Sequence, residues 1–327
     1  MIVQIVKNYK DSYEIYSPNK KMIWDDIVFI EDDVKEADFV VVLNTPKKDQ
    51  TIRCNSKNII AIMQESYVKC DTDWMNNQLE KYSYVFTSYQ PNPLPKDTTI
   101  IPSHGALHWY IDKTYDELKA MDKANQKTKN ISCIASSLTR WAGHKIRISF
   151  IEYLKQNNEL NIDFFGKGTR FLEDKYDGIA SYKYSIAIEN SSIDDYWTEK
   201  ISDVFLSYSL PFYFGCTNID KYFPKESYIW IDITNPQKAM QTMKEAIKNN
   251  EYEKRLIYIK QARDLVLDKY NLFPFVANFI KTLPQQKTKE KIRLKKYEYS
   301  IKEKFQRYIQ RKKNRLEKIK KYFKIWK

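Results

Sequence analysis

The residues best equipped for chemistry stand in one stretch, Tyr182-Lys-Tyr-Ser-Ile-Ala-Ile-Glu-Asn-Ser-Ser-Ile-Asp-Asp-Tyr-Trp-Thr-Glu-Lys200. Its first part alternates like a strand, and its last part opens a helix continued by Ile201, Val204, Phe205 and Tyr208 at helical spacing. Between them a short polar loop carries Glu189, Asn190, Asp194, Asp195 and Tyr196. A strand, a polar loop and a helix N-terminus make a cradle for a diphosphate, because first-turn N–H groups lack intrahelical partners and carry partial positive charge. Thr198 ahead of Glu199 is, alone, an ordinary N-cap with an acidic first turn. Lys200 in that turn opposes the dipole and asks for an anion nearby.

Elements that must position this loop recur along the chain. Strand-like runs fall at Ile2–Val6, Asp38–Leu43, Asn58–Met63, Tyr82–Thr87 and Thr98–Ile101. A polar segment from Asp112 to Asn130 suits a linker helix, after which the alternation restarts with a strand at Asn130–Ala135 and a helix at His144–Gln156. Strands at Asn161–Phe165, Tyr182–Ile188, Leu210–Phe214 and Ser227–Ile233 follow, then helices at Pro236–Asn249 and Glu251–Lys269. Strands alternating with helices predict parallel sheets with crossover connections. Two such units joined by a linker predict two Rossmann-like α/β domains facing a cleft, with ligands at the strand C-termini. The boundaries are 1–128, 129–285 and a tail at 286–327.

The loop and its flanks resemble the donor-binding signature of glycosyltransferase family 10, the α-1,3-fucosyltransferases, in its bacterial form. Glu189-Asn190-Ser191 and Tyr196-Trp197-Thr198-Glu199-Lys200 stand at the family spacing. Leu210-Pro-Phe-Tyr-Phe-Gly215, Tyr222-Phe-Pro-Lys-Glu-Ser-Tyr-Ile229 and Ile162-Asp-Phe-Phe-Gly-Lys-Gly168 are similar to the elements around it, so the resemblance runs from about Ile131 to Ile233. The chain has only 6 glycines, so two at one strand end mark a tight turn or close backbone packing. The resemblance implies a GT-B fold and an inverting, metal-independent transfer of L-fucose from GDP-fucose to a glycan hydroxyl. It also implies that Lys200 contacts the diphosphate and Glu199 the ribose region or sugar, with Glu189, Asn190 and Tyr196 at the donor. An arginine at the start of the helix after the restart strand reaches the diphosphate in the family. Arg147 is the candidate, with Arg140, His144 and Lys145 as competitors; a surface arginine is the commoner case, but a guanidinium fork suits phosphate oxygens.

Glu65 follows the apolar run Ile59–Met63, and a carboxylate there points at the cleft of an α/β domain. The resemblance makes it the general base, although Gln64-Glu65-Ser66 lacks the glycine of the family context. Asp71-Thr-Asp73 matches the short metal-binding triplet of other glycosyltransferases but lies well past its strand and reads as a solvated loop. His104 and His108 are four apart, yet Pro102 and Gly105 interrupt a helix and no HExxH accompanies them. No metal and no cofactor are expected.

The charge is concentrated. Of a net +13, the segment Gln286–Lys327 holds 18 lysines and arginines against 4 acidic residues, a net of +14, leaving −1 for the rest. Ile301, Phe305, Tyr308, Leu316, Ile319, Phe323 and Trp326 form an apolar stripe through it, interrupted by Lys312. A basic amphipathic helix of this kind, also found in bacterial members of the family, predicts an anionic membrane surface as partner rather than nucleic acid. The charge boundary places a soluble truncation after Thr282. Four cysteines without metal spacing, an N-terminal run too short for a signal peptide and no bilayer-length apolar segment predict a cytoplasmic protein, peripheral on the inner face of the membrane. A related donor such as a GDP-deoxyheptose, for capsule or lipopolysaccharide synthesis, is the first alternative. The second is a non-enzymatic membrane or RNA adaptor acting through the tail.

Overall fold

The computed structural model describes residues 1–69, 71–135, 142–157, 159–166, 169–284, 286, 288–309 and 312, with Ala142 described by its backbone alone. The first half contains β1 (Ile2–Lys7), β2 (Ile23–Trp24), β3 (Ile27–Ile30), β4 (Phe39–Leu43), β5 (Gln50–Cys54), β6 (Ile59–Ile62), β7 (Tyr84–Thr87), β8 (Thr99–Pro102) and helix α1 (Tyr115–Ala120). The second contains β9 (Lys129–Ile134), α2 (Ala142–Gln156), β10 (Asp163–Phe165), β11 (Tyr182–Ile188), α3 (Glu199–Leu206), β12 (Leu210–Phe214), β13 (Ile229–Trp230), α4 (Pro236–Lys248), α5 (Glu251–Leu265), α6 (Leu272–Ile280) and β14 (Glu290–Leu294).

Seven strands in the order β2-β3-β1-β4-β6-β7-β8 form the first sheet, parallel except where β2 pairs with β3. Five parallel strands, β10-β9-β11-β12-β13, form the second. β4, Phe-Val-Val-Val-Leu, is buried throughout because a central parallel strand is covered on both faces. Phe39, Val41 and Leu43 join one core cluster, while Val40 and Val42 join another with Trp74, Met75 and Leu79. In the second sheet Tyr184, Ile186 and Ile188 pack with Phe150, Ile151 and Leu154 of α2. The opposite face, Ala187 and Tyr213, belongs to the cluster holding α3.

β2, β3 and β5 are not among the expected strands, and the elements differ from the sequence expectation in three further places. Between β1 and β8 the crossovers are short 3-10 turns, such as Glu14–Tyr16 and Asp73–Asn76, rather than α-helices. Cover comes instead from α6, which falls in the 129–285 segment but packs on the first sheet. Phe273, Phe275 and Phe279 meet Phe29, Phe86 and Tyr84 edge-on at 5.0–5.1 Å. Third, the charged segment after Thr282 is not a free tail from its beginning. β14 pairs antiparallel with β5 from Glu290–Cys54 to Leu294–Gln50. Leu294 is buried in the first domain's core, and Lys289 reaches Asp38 at 2.8 Å. A cut after Thr282 would therefore remove a paired strand. The segment 300–327 still carries 12 basic and 2 acidic residues, a net of +10.

An aromatic cluster locks the two sheets together. His104, from the segment after β8, stacks on Trp197 of the signature loop at 4.6 Å and 18°. Tyr222, Tyr270 and Phe275 close around it. Burial depresses the imidazole of His104 to about 3 and that of His108 to about 4. Both take up protons more readily when unfolded, so the stability they contribute is present above about pH 6.5 and is lost as pH falls toward their folded values. Glu189 and Asp203, raised by burial, work in the opposite direction. The expected result is a melting temperature that falls from pH 7 to pH 5, with His108→Gln showing a shallower fall than the parent in matched thermal melts.

Candidate active site

The chemistry-bearing residues converge where the C-terminal ends of β9, β10 and β11 meet the starts of α2 and α3. A cavity of about 340 Å³ lies there, lined by Arg147, Glu199, Lys200, Lys175, Asp203 and Tyr110 among others. That volume lies at the small end of ligand sites, roughly 300–1,000 Å³.

Thr198 is both an N-cap and part of a charge clamp. Its side chain accepts the Lys200 amide at the start of α3. Its amide and hydroxyl donate to the two Glu189 oxygens at 2.8 and 2.7 Å. Lys200 Nζ donates to Thr198 Oγ1 at 2.9 Å and stands 3.3 Å from both Glu189 and Glu199. Desolvation alone would lower the Lys200 pKa, but Glu189 and Glu199 outweigh it and raise it. Glu199 feels the converse: burial raises its carboxyl, yet Lys200 and Lys175 hold it down at about 2. The cavity floor is thus permanently charged at neutral pH.

Glu189, which the resemblance puts at the donor, stands against Thr198 and Lys200. Its side chain is fully buried, and its carboxylate grips Thr198 and Lys200. It positions the clamp from behind. Asn190 turns its Oδ1 toward Arg147, which donates at 2.5 Å, so Arg147 and the signature loop are joined. Arg147 is buried and lines the cavity, which distinguishes it from a surface arginine. His144 is also buried, and Lys145 is exposed; Arg140, Lys167 and Gly168 lie outside the described residues.

Two glycines allow these backbones to close up. A Cβ on Gly143 would stand 1.9 Å from the Asn190 carbonyl oxygen, and one on Gly215 2.4 Å from Glu189 Cγ. Any side chain at either position would drive the signature loop off its neighbours.

Tyr196 is buried, and burial raises its phenol pKa; Lys200, Glu189, Glu65 and Glu199 all lie within its electrostatic reach. Glu65 reaches the same cleft from the other domain. Its neighbour Ser66 accepts a hydrogen bond from Ser191 Oγ at 2.9 Å, tying the end of β6 to the signature loop. Gln64 is fixed by the Tyr9 hydroxyl at 2.7 Å and by Asn44 Oδ1, which accepts its amide at 2.8 Å.

Three cavity residues were not anticipated. Lys175 donates to Asp203 at 2.7 Å, and Asp203 also accepts the Tyr110 amide at 2.9 Å. Asp203 lies four residues after Glu199 on α3, so helical spacing could have found it. Lys175 opens a short 3-10 turn and Tyr110 lies outside any helix or strand, so neither carries a comparable signal. Asp194 and Asp195 do not line the cavity: Asp194 accepts the Thr217 hydroxyl, while Asp195 holds Lys221 at 2.8 Å. Asp73 accepts from Tyr67 at 2.9 Å, and Asp71 lies 3.9 Å from Arg307. Among the described residues, no three His, Cys, Asp or Glu side chains gather in a metal-holding group.

Two sheets of parallel strands, a cleft between them and a charged cradle at the second sheet's C-terminal edge define the GT-B class of glycosyltransferase folds. An α1,3-fucosyltransferase crystal structure superposes with a TM-score of 0.51 at 15% identity, covering 88% of this chain and 90% of that one. Residues 124–272 match the sequence model described as glycosyltransferase family 10 (fucosyltransferase) C-term, and this part of the chain is a domain of that family. The human 4-galactosyl-N-acetylglucosaminide 3-alpha-L-fucosyltransferase 9 is 29% identical over 121 residues, 35% of this chain and 33% of the human protein. A putative fucosyltransferase-like protein of Arabidopsis thaliana is 27% identical over 159 residues, 47% of this chain and 29% of that protein. The chain thus matches about a third of the length of these curated relatives.

Proposed function

We propose that the protein is an inverting fucosyltransferase that moves L-fucose from GDP-fucose to a hydroxyl of a glycan. The observation that carries the reading is the Glu189–Thr198–Lys200 clamp beside Arg147, inside a family 10 domain. GDP would lie in the cavity with its diphosphate toward Lys200 and Arg147 and the start of α3, and the fucose would face the cleft. Glu65 would take the proton of the acceptor hydroxyl as that oxygen attacks the anomeric carbon. As the bond to GDP breaks, negative charge grows on the departing phosphate, where Lys200 and Arg147 stabilise it most. Relatives named as fucosyltransferases support this donor over another GDP-sugar. The test is incubation with GDP-fucose and a glycan acceptor mixture, followed by NMR of the product. Anomeric inversion is expected; retention, or no transfer from GDP-fucose, contradicts the reading.

Fixed cations at the diphosphate take the place of a divalent ion, so turnover should persist in excess EDTA. Loss of activity in chelator with rescue by manganese would reverse this assignment.

The segment after residue 300 supports a membrane role. Ile301, Phe305 and Tyr308 are exposed along one helix at 301–309, with Leu316, Ile319, Phe323 and Trp326 outside the described residues. No helix among the described residues is long and apolar enough to cross a membrane. An anionic inner leaflet fits a +10 segment, and each Lys or Arg near such a surface adds about 1 kcal/mol. Truncation after Ile309 removes 9 basic residues and 1 acidic one while sparing β14. The truncated protein should no longer float with anionic vesicles at low salt, whereas the full chain should. A full chain that fails to float, or dimerises through this segment instead, overturns the membrane role.

A further inference from the structure

Beyond the contacts of Lys295 with Gln78 and of Lys296 with Asp49, the segment that follows β14 also touches the loop that comes after β6. Ser300 and Glu303 cap the helix at 301–309: the Ser300 amide donates to Glu303 Oε2 at 2.6 Å, and the Glu303 amide to Ser300 Oγ at 3.2 Å. The Tyr297 hydroxyl donates to the same Glu303 carboxylate. Two turns along, the Arg307 guanidinium lies 4.1 Å from the centre of the Tyr299 ring. From that platform it donates to the Asp71 carbonyl at 2.9 Å and stands 3.9 Å from the Asp71 carboxylate. Arg307 is 17% exposed and Asp71 12%, so the contact is sheltered from solvent.

The loop it grips is closed on itself. The amides of Asp71 and Thr72 donate to the Val68 carbonyl, each at 2.9 Å. The Val68 amide donates to Thr72 Oγ1 at 2.6 Å, and that hydroxyl in turn lies 3.3 Å from the Ser66 carbonyl. Ser66 then meets Ser191 across the cleft, and Glu65 precedes it. A path of hydrogen bonds therefore runs from Arg307 to Ser66, the residue next to the one assigned as base. Ile301, Phe305 and Tyr308 of the same helix face solvent.

We propose that Arg307 is a positioning residue for the acceptor side of the cleft: the start of the C-terminal helix braces the 66–73 loop and so sets Glu65 against the donor loop. This rests on the reading of Glu65 as the base. The brace does not touch the diphosphate cradle, so its loss falls on acceptor use and leaves donor binding intact.

The test compares full-length Arg307→Ala with Lys304→Ala, an exposed charge loss on the same helix. In hydrogen–deuterium exchange, amides in 66–73 should exchange about tenfold faster in Arg307→Ala, equivalent to about 1.4 kcal/mol of local stability, with 182–206 unchanged. In kinetics the acceptor KM should rise several-fold while GDP-fucose KM stays put. Tyr299→Leu, which keeps the arginine and removes its platform, should show the same pattern more weakly and serves if Arg307→Ala does not fold. Exchange in 66–73 equal to that of Lys304→Ala, or donor and acceptor KM rising together, overturns the proposal. A wild-type chain that transfers no fucose would sink the donor assignment instead, and the exchange comparison alone would then decide whether the brace exists.

Discussion

Lys200→Ala is expected to abolish measurable transfer and, at the same time, to lower the melting temperature by several degrees. The catalytic part follows from losing a charge-assisted contact that strengthens as GDP departs, worth about 3 kcal/mol or roughly a hundredfold in rate. The stability part follows from Glu189, whose side chain has no exposure and whose carboxylate is held between Thr198 and Lys200. Removing one partner of a buried ion pair costs about 3–5 kcal/mol, because the other charge stays in a dry site. Glu189, already raised by burial, would take up a proton instead. The double variant Glu189→Gln/Lys200→Ala should recover much of the lost stability while remaining inactive. Thermal melts and initial rates on the three proteins separate the two effects. Wild-type kcat/KM in Lys200→Ala would remove the cradle assignment.

Glu65→Gln is the second large effect. Removing a general base typically lowers transfer by about 10²–10⁴-fold. GDP affinity should be unchanged, because Glu65 belongs to the first domain, whose Ser66 meets the donor loop at Ser191. Calorimetric titration with GDP alongside rate measurements checks both halves. A variant that transfers at the parent rate across pH would pass the role to another group in the cleft.

Except for β2 and β3, the strands of both sheets were legible because buried parallel strands are short apolar runs bounded by polar turns. Phe39-Val-Val-Val-Leu43 and Leu210-Pro-Phe-Tyr-Phe214 leave little choice. The donor loop was legible because its residue types sit at fixed spacing around a strand and a helix start. α6 was not, since Leu-Phe-Pro-Phe-Val-Ala-Asn-Phe-Ile has almost no polar face, and a helix covered on most sides shows no amphipathic period. β14 was hidden by charge: Glu-Lys-Ile-Arg-Leu pairs only with β5 and itself buries only Leu294, so it reads as part of a basic tail. Glu189 illustrates a subtler limit. Its place in the signature says that it matters, but only the buried geometry separates a side chain that holds the clamp from one that faces the ligand.

The most direct test of the account is a calorimetric titration of the full chain, in EDTA, with GDP-fucose, UDP-sugars and CMP-sugars in parallel. The account predicts saturable binding of GDP-fucose, greatly weakened by Arg147→Ala, with no comparable heat from the other two classes. Preferential binding of a UDP- or CMP-sugar, or GDP-fucose binding untouched by Arg147→Ala, would contradict it.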